Sequence, residues 1–145
     1  MSHPLHPAIV HFPVATWTLA TVADVAHPWL GPPAWTFTAW SLVTRTAMAL
    51  PAMGSGLVQF VKLAPDDPRA RHVLHHMVFV LLAFACYATS LLLRVHDVQW
   101  QQAVHRAPAT MAVAMSVVGL VLLLVGGGLG GRLVYAHAIG VAREP

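Results

Sequence analysis

Histidine is the residue type through which this chain can do chemistry. It holds ten of them, against eight lysines and arginines together. Three open the chain in "HPLHPAIVHFP", where His3, His6 and His11 each lie within two residues of a proline. His72, His75 and His76 follow at i, i+3 and i+4, the spacing that puts side chains on one face of a helix. His137 stands near the C-terminus, and His27, His96 and His105 lie elsewhere. Neutral imidazole is the commonest metal ligand and titrates near neutral pH. Presented from facing helices of a bundle, it also holds haem iron.

The competing chemistries lack their residues. The single cysteine, Cys86, sits in an apolar run, and no CxxC, CxxCH or HExxH occurs. Iron–sulfur, covalent-haem and zincin readings therefore have no basis. Of five acidic residues only Asp24 falls in an apolar segment, which argues against a di-iron carboxylate centre. No spacing supplies a nucleophile with its base and acid, so an electron carrier or subunit is expected, not a stand-alone enzyme.

These histidines must be held by membrane elements. The chain is 57% hydrophobic and 9% charged, where a soluble domain is about a quarter charged. Four apolar segments, at about 8–26, 34–61, 73–93 and 108–129, each approach the roughly 20 residues a bilayer requires. Their connections are short and polar or proline-rich: "HPWLGPP", "KLAPDDPRAR" and "RVHDVQWQQAVHRAP". The expectation is an all-α, up-and-down four-helix transmembrane bundle forming one domain over residues 1–145. Pro51 inside the second segment predicts a kink near Leu50. The first residues lack a basic n-region, so the spans themselves are expected to carry the membrane address.

Charge orients the bundle. The net charge of +3 is scattered at segment ends, which does not suit nucleic acid. Lys62, Arg69, Arg71, Arg132 and Arg143 lie with the termini, and Arg94 and Arg106 lie opposite. The excess predicts cytoplasmic termini in a bacterial inner membrane. Seven histidines (His3, His6, His11, His72, His75, His76 and His137) then fall at the termini-bearing end. A single interfacial histidine is explained well enough as an amphipathic anchor, but that gives no reason for seven together.

The expected site is a b-type haem ligated by His11 and by His75 or His76, with His6 and His137 as a second ligand or in support. The alternative is an all-imidazole copper, zinc or iron site built from His3, His6, His11, His76 and His137. A further alternative is a non-catalytic assembly subunit whose histidines pack or bind pigment. Expected partners are the bilayer, quinone or other membrane redox subunits, and a second copy of the chain. Arg45, inside "LVTRTAM", would be costly facing lipid. It is expected to pair with Asp24, or to hold a haem propionate or quinone oxygen. "GGGLGG" at 126–131 predicts close helix approach. The five tryptophans read mostly as interfacial belt residues.

"HPLHPAIVHFPVA" with Asp24 downstream, "GSG" in the second segment, a histidine opening the third and "GGRLVYAHAIGV" at the end carry a resemblance. They resemble a family of small bacterial membrane proteins catalogued as domain of unknown function 2231, over nearly the whole chain. The resemblance implies a four-helix membrane protein. Some relatives carry an appended Rieske-type domain, which implies a redox context. The family's motif histidines map onto His3, His6, His11, His137 and one of His75 or His76. The family often has an acidic residue after the glycine of the second segment, where this chain reads Leu57, Val58 and Gln59. A role needing that carboxylate does not carry over.

Overall fold

The computed structural model describes residues 5–64, 66–96 and 98–136, with side chains in the first helix from residue 9 onward. His3 and His137 lie outside these residues, and His6 is described by its backbone alone. Five helices form: α1 (Leu5–Leu30), α2 (Pro32–Val61), α3 (Ala70–Val95), α4 (Trp100–Ala103) and α5 (Thr110–Tyr135). Four are long, and no strand occurs among the described residues. Ile9–Leu30, Ala70–Val95 and Thr110–Tyr135 are long and apolar enough to cross a membrane. The second long helix is not among them; its six serines and threonines, Arg45 and Gln59 lower its hydropathy.

The helix boundaries differ from the expected spans at one informative place. The first segment was expected to stop at Ala26, yet α1 continues through His27 and Pro28 to Leu30. Pro28 has no N–H to give the carbonyl of Asp24, four residues earlier. His27 supplies the missing donor: its Nδ1 lies 2.5 Å from that carbonyl oxygen. The chain then reverses at Gly31, whose φ of +64° is readily adopted only by glycine. Gly31 closes α1 by donating its N–H to the His27 carbonyl and opens α2 by accepting from Ala34. Pro32 and Pro33 occupy the first turn of α2, where missing N–H groups cost little. Helix α2 runs on both sides of Pro51.

Among the four long helices, α3 packs most extensively against α5 and α1 against α2, and contacts of α2 with α3 and α1 with α5 join them in a ring. The buried positions recur at steps of three and four. On α5 they are Ala112, Ser116, Gly119, Leu123, Gly126 and Leu133; on α3, Val73, Ala83, Tyr87, Ser90 and Arg94. This is the seam spacing of helices packed side by side. Small residues fill it, and large apolar residues such as Leu19, Trp40, Leu81, Leu92 and Leu124 are exposed. That inverted distribution suits lipid, in which helices gain by close backbone approach and not by hiding leucines. A Cβ on Gly126 would lie 3.1 Å from Val80, and one on Gly130 would lie 2.9 Å from the His76 ring. The close approach expected of "GGGLGG" is therefore made through Gly126 and Gly130.

Candidate functional site

Two groups of polar residues stand at opposite ends of the bundle. The first is the expected histidine group. Because α1 and α3 are tied by Thr21 to Tyr87 and by Asp24 to Arg94, they run parallel with an offset of 66 to 70 residues. The same offset sets position 6 of α1 level with residues 72–76 of α3. Position 11 lies level with 77–81, about one to one and a half turns deeper. Imidazole positions on two helices thus share one end of the molecule.

Their environments differ. His11, His72 and His75 are exposed, and His76 is half-buried. The i, i+3, i+4 spacing on α3 therefore does not turn all three rings inward: only His76 packs against α5. Its Nδ1 lies 2.7 Å from the carbonyl oxygen of Gly126. A carbonyl only accepts, so Nδ1 carries a proton, and in the neutral ring Nε2 keeps its lone pair. That is the tautomer of a histidine ready to ligate through Nε2, with its other nitrogen oriented by a backbone carbonyl. Gly130 provides the flat surface against which this ring lies. Among the described residues, no three histidine, cysteine, aspartate or glutamate side chains come together.

The second group lies in the half of the bundle away from the termini and was largely missed by sequence reasoning. Asp24 is 1% exposed and accepts a hydrogen bond at 2.5 Å from Arg94 Nη2, whose side chain is 4% exposed. This corrects the expected partner of Asp24, which is Arg94 on the parallel helix α3 and not Arg45. The two ends of α1 and α3 share a level, while Arg45 enters from nearer the middle of α2. Arg45 is nonetheless buried, within electrostatic reach of Asp24 and Tyr87, with its guanidinium carbon 5.8 Å from the Phe37 ring centroid. It belongs with this second group, not with the histidines.

Tyr87 organises the layer between the two groups. Its ring stacks on Trp17 with centroids 4.9 Å apart and planes within 3°, and its hydroxyl lies 3.0 Å from Thr21 Oγ1. Trp17 is thus a core residue, not a belt residue; Trp29 and Trp40 are exposed as expected. Ser90 donates to the Ala112 carbonyl and meets Ser116 at 2.9 Å. Seven buried side-chain polar atoms have no hydrogen-bond partner among the described residues, and Asp24 Oδ2, Arg45 Nη1, Arg94 Nε, Thr38 Oγ1 and Trp17 Nε1 are among them. Two guanidiniums therefore face one carboxylate, leaving an excess of one positive charge in a nearly dry interior.

The signal for this group was present in the spacing. Trp17, Thr21 and Asp24 stand at i, i+4 and i+7 on α1, and Tyr87, Ser90 and Arg94 at i, i+3 and i+7 on α3. Polar residues repeating at helical period within apolar segments mark the inner face.

Residues 2–143 match the family model described as "Predicted membrane protein (DUF2231)". No curated protein matches the chain, and no solved structure matches it.

Proposed function

The chain belongs to the DUF2231 family of predicted membrane proteins, and on that premise we propose that it carries electrons in a membrane through histidine-ligated b-type haem. In this reading all four long helices cross a bacterial inner membrane as an up-and-down bundle with cytoplasmic termini. The chain serves as one subunit of a respiratory or related assembly, exchanging electrons with quinone or a neighbouring redox subunit.

The observation that carries the reading is His76. Its Nδ1–H is committed to the Gly126 carbonyl, so its Nε2 is a neutral, oriented ligand. Support comes from the register that sets positions 6 and 11 of α1 near the level of His75 and His76. The donor set fits haem iron, which takes imidazole from facing helices. When bound, b-type haem supplies one-electron transfer. The chain's own residues fix the ligand's tautomer, hold its ring against Gly130, and surround the site with apolar side chains that raise the cost of charge.

Purified full-length protein tests this by its absorption spectrum and metal content. A Soret band is expected, lost in His76→Ala and reduced in Gly130→Ala, whose new methyl would displace the His76 ring. Protein that contains no haem, or His76→Ala protein that keeps its full haem content, would overturn the reading. Copper, zinc or iron without porphyrin would replace haem with an all-imidazole metal site.

A further inference from the structure

At the end of the bundle remote from His76, a recess of about 420 Å³ opens between the end of α3, α4 and the start of α5. Arg94, His96, Arg106, Pro108 and Ala109 contribute to its lining. Arg94 is buried, and Asp24 holds its Nη2, so the guanidinium is fixed in place. Its Nε has no partner among the described residues. Arg106 is exposed at the rim. The first turn of α5 begins at Ala109 with no side-chain cap, so its leading N–H groups face this end with the positive pole of a 26-residue helix.

We propose that this recess binds a phosphate group. Three sources of donors border it: a buried guanidinium held by Asp24, an exposed one at Arg106, and an uncapped helix N-terminus. Phosphoryl oxygens accept several such bonds at once, and arginine matches their geometry. The field has the right sign as well. Arg45 and Arg94 share Asp24 as their buried carboxylate, so the interior behind the recess keeps one positive charge uncompensated. The volume exceeds that of phosphate alone and leaves room for a glyceryl or similar polar substituent. The phosphate belongs to a phospholipid headgroup at the membrane surface or to a soluble phosphate ester, and the chemistry of recognition is shared. The site stands apart from the histidine group and does not depend on haem.

The test uses full-length protein in a neutral maltoside detergent. Phosphatidylglycerol, diacylglycerol and soluble glycerol phosphate are added in turn, and binding is read from the rise in unfolding temperature with concentration. Phosphatidylglycerol or glycerol phosphate is expected to stabilise the protein, and Arg106→Gln to weaken that binding about tenfold or more, the loss of one hydrogen bond between charged groups. Arg132→Gln, at the opposite end of α5, is expected to leave it unchanged. Stabilisation by phosphatidylglycerol alone identifies a lipid headgroup; stabilisation by both identifies a phosphate ester site open to water. Arg94→Gln strands Asp24 and is expected to unfold more readily, so Arg106→Gln carries the test. No stabilisation, equal stabilisation by diacylglycerol, which carries no phosphate, or equal weakening by Arg106→Gln and Arg132→Gln would overturn the proposal.

Discussion

Removing the Asp24 carboxylate should be the most damaging isosteric change in the interior, and the reason lies in the charge count around it. Asp24 is 1% exposed and the Arg94 side chain 4%, so neither group is relieved by water when its partner goes. Breaking a buried pair by deleting one partner typically costs about 3–5 kcal/mol. Asp24→Asn belongs at the upper end of that range, because Arg45 and Arg94 are then left facing each other with no carboxylate between them. Arg94→Met belongs at the lower end, since Asp24 keeps Arg45 within electrostatic reach. The double change Asp24→Leu/Arg94→Met should be less harmful than Asp24→Asn alone, by on the order of 2 kcal/mol, because neither member of the pair is left buried without its partner. It should still fall short of wild type, because Arg45 remains unpaired. Reversible unfolding in mixed micelles, followed by helical circular dichroism and by the fluorescence of buried Trp17, measures all four proteins. The reasoning is refuted if Asp24→Asn lies within about 1 kcal/mol of wild type, or if Arg94→Met proves the costlier single change.

Two further outcomes follow from the packing and the loop. A Cβ on Gly119 would meet three Tyr87 ring atoms at 3.0–3.2 Å, and that ring cannot withdraw because Trp17 is stacked on it. Gly119→Ala should therefore cost about 1–3 kcal/mol, while Gly54→Ala, with nothing within 4 Å of the new carbon, should gain up to about 1 kcal/mol in helix propensity; equal unfolding midpoints would contradict this. In the α2–α3 connection, hydrogen bonds from the Arg69 side chain and backbone hold the Asp67 carboxyl down at about 2. A carboxyl that is lower in the folded than in the unfolded chain stabilises above its unfolded value and loses that contribution as pH falls toward 2. Arg69→Ala should then leave the pH profile between 5 and 8 unaltered and raise the Asp67 midpoint into the ordinary carboxylate range, as read by carboxyl NMR; an unmoved midpoint would exclude Arg69 as the cause.

What was legible in the sequence was the material of each helix and much less the way the helices face. Length and hydropathy placed four long helical segments, because an apolar run of that length has few other solutions. The connection "HPWLGPP" marked the first reversal, but its first four residues continue α1 to Leu30. The repair by His27 depends on a side-chain bond three residues back, which no propensity encodes. The Asp24–Arg45 expectation failed for a related reason. It matched the only carboxylate in an apolar segment with the only arginine inside one, and treated Arg94 as an end residue. The level of each residue along its helix, not its membership of a span, decides which charges meet. Trp17 is an exception to the mostly interfacial reading of the tryptophans: it stands mid-segment, and its spacing from Thr21 and Asp24 puts it on the inner face.

The two halves of the bundle are held by different forces, and this bears on where a ligand fits. In the half away from the termini, Asp24–Arg94 and Thr21–Tyr87 tie α1 to α3. Ser90 ties α3 to α5 through Ala112 and Ser116, and Thr21 reaches the Ser116 carbonyl. Lipid offers no gain for gathering leucines, so such bonds fix the rotation of each helix where apolar packing alone would leave several choices open. In the histidine half, α3 and α5 meet through Gly126 and Gly130, and His76 is bonded to a backbone carbonyl. Gly127, Gly128 and Gly131 have nothing within 4 Å of where a Cβ would stand. A flat ligand can approach this glycine-rich surface without breaking any of the bonds that set helix rotation. The polar half thus acts as the fixed base that sets how the helices face one another.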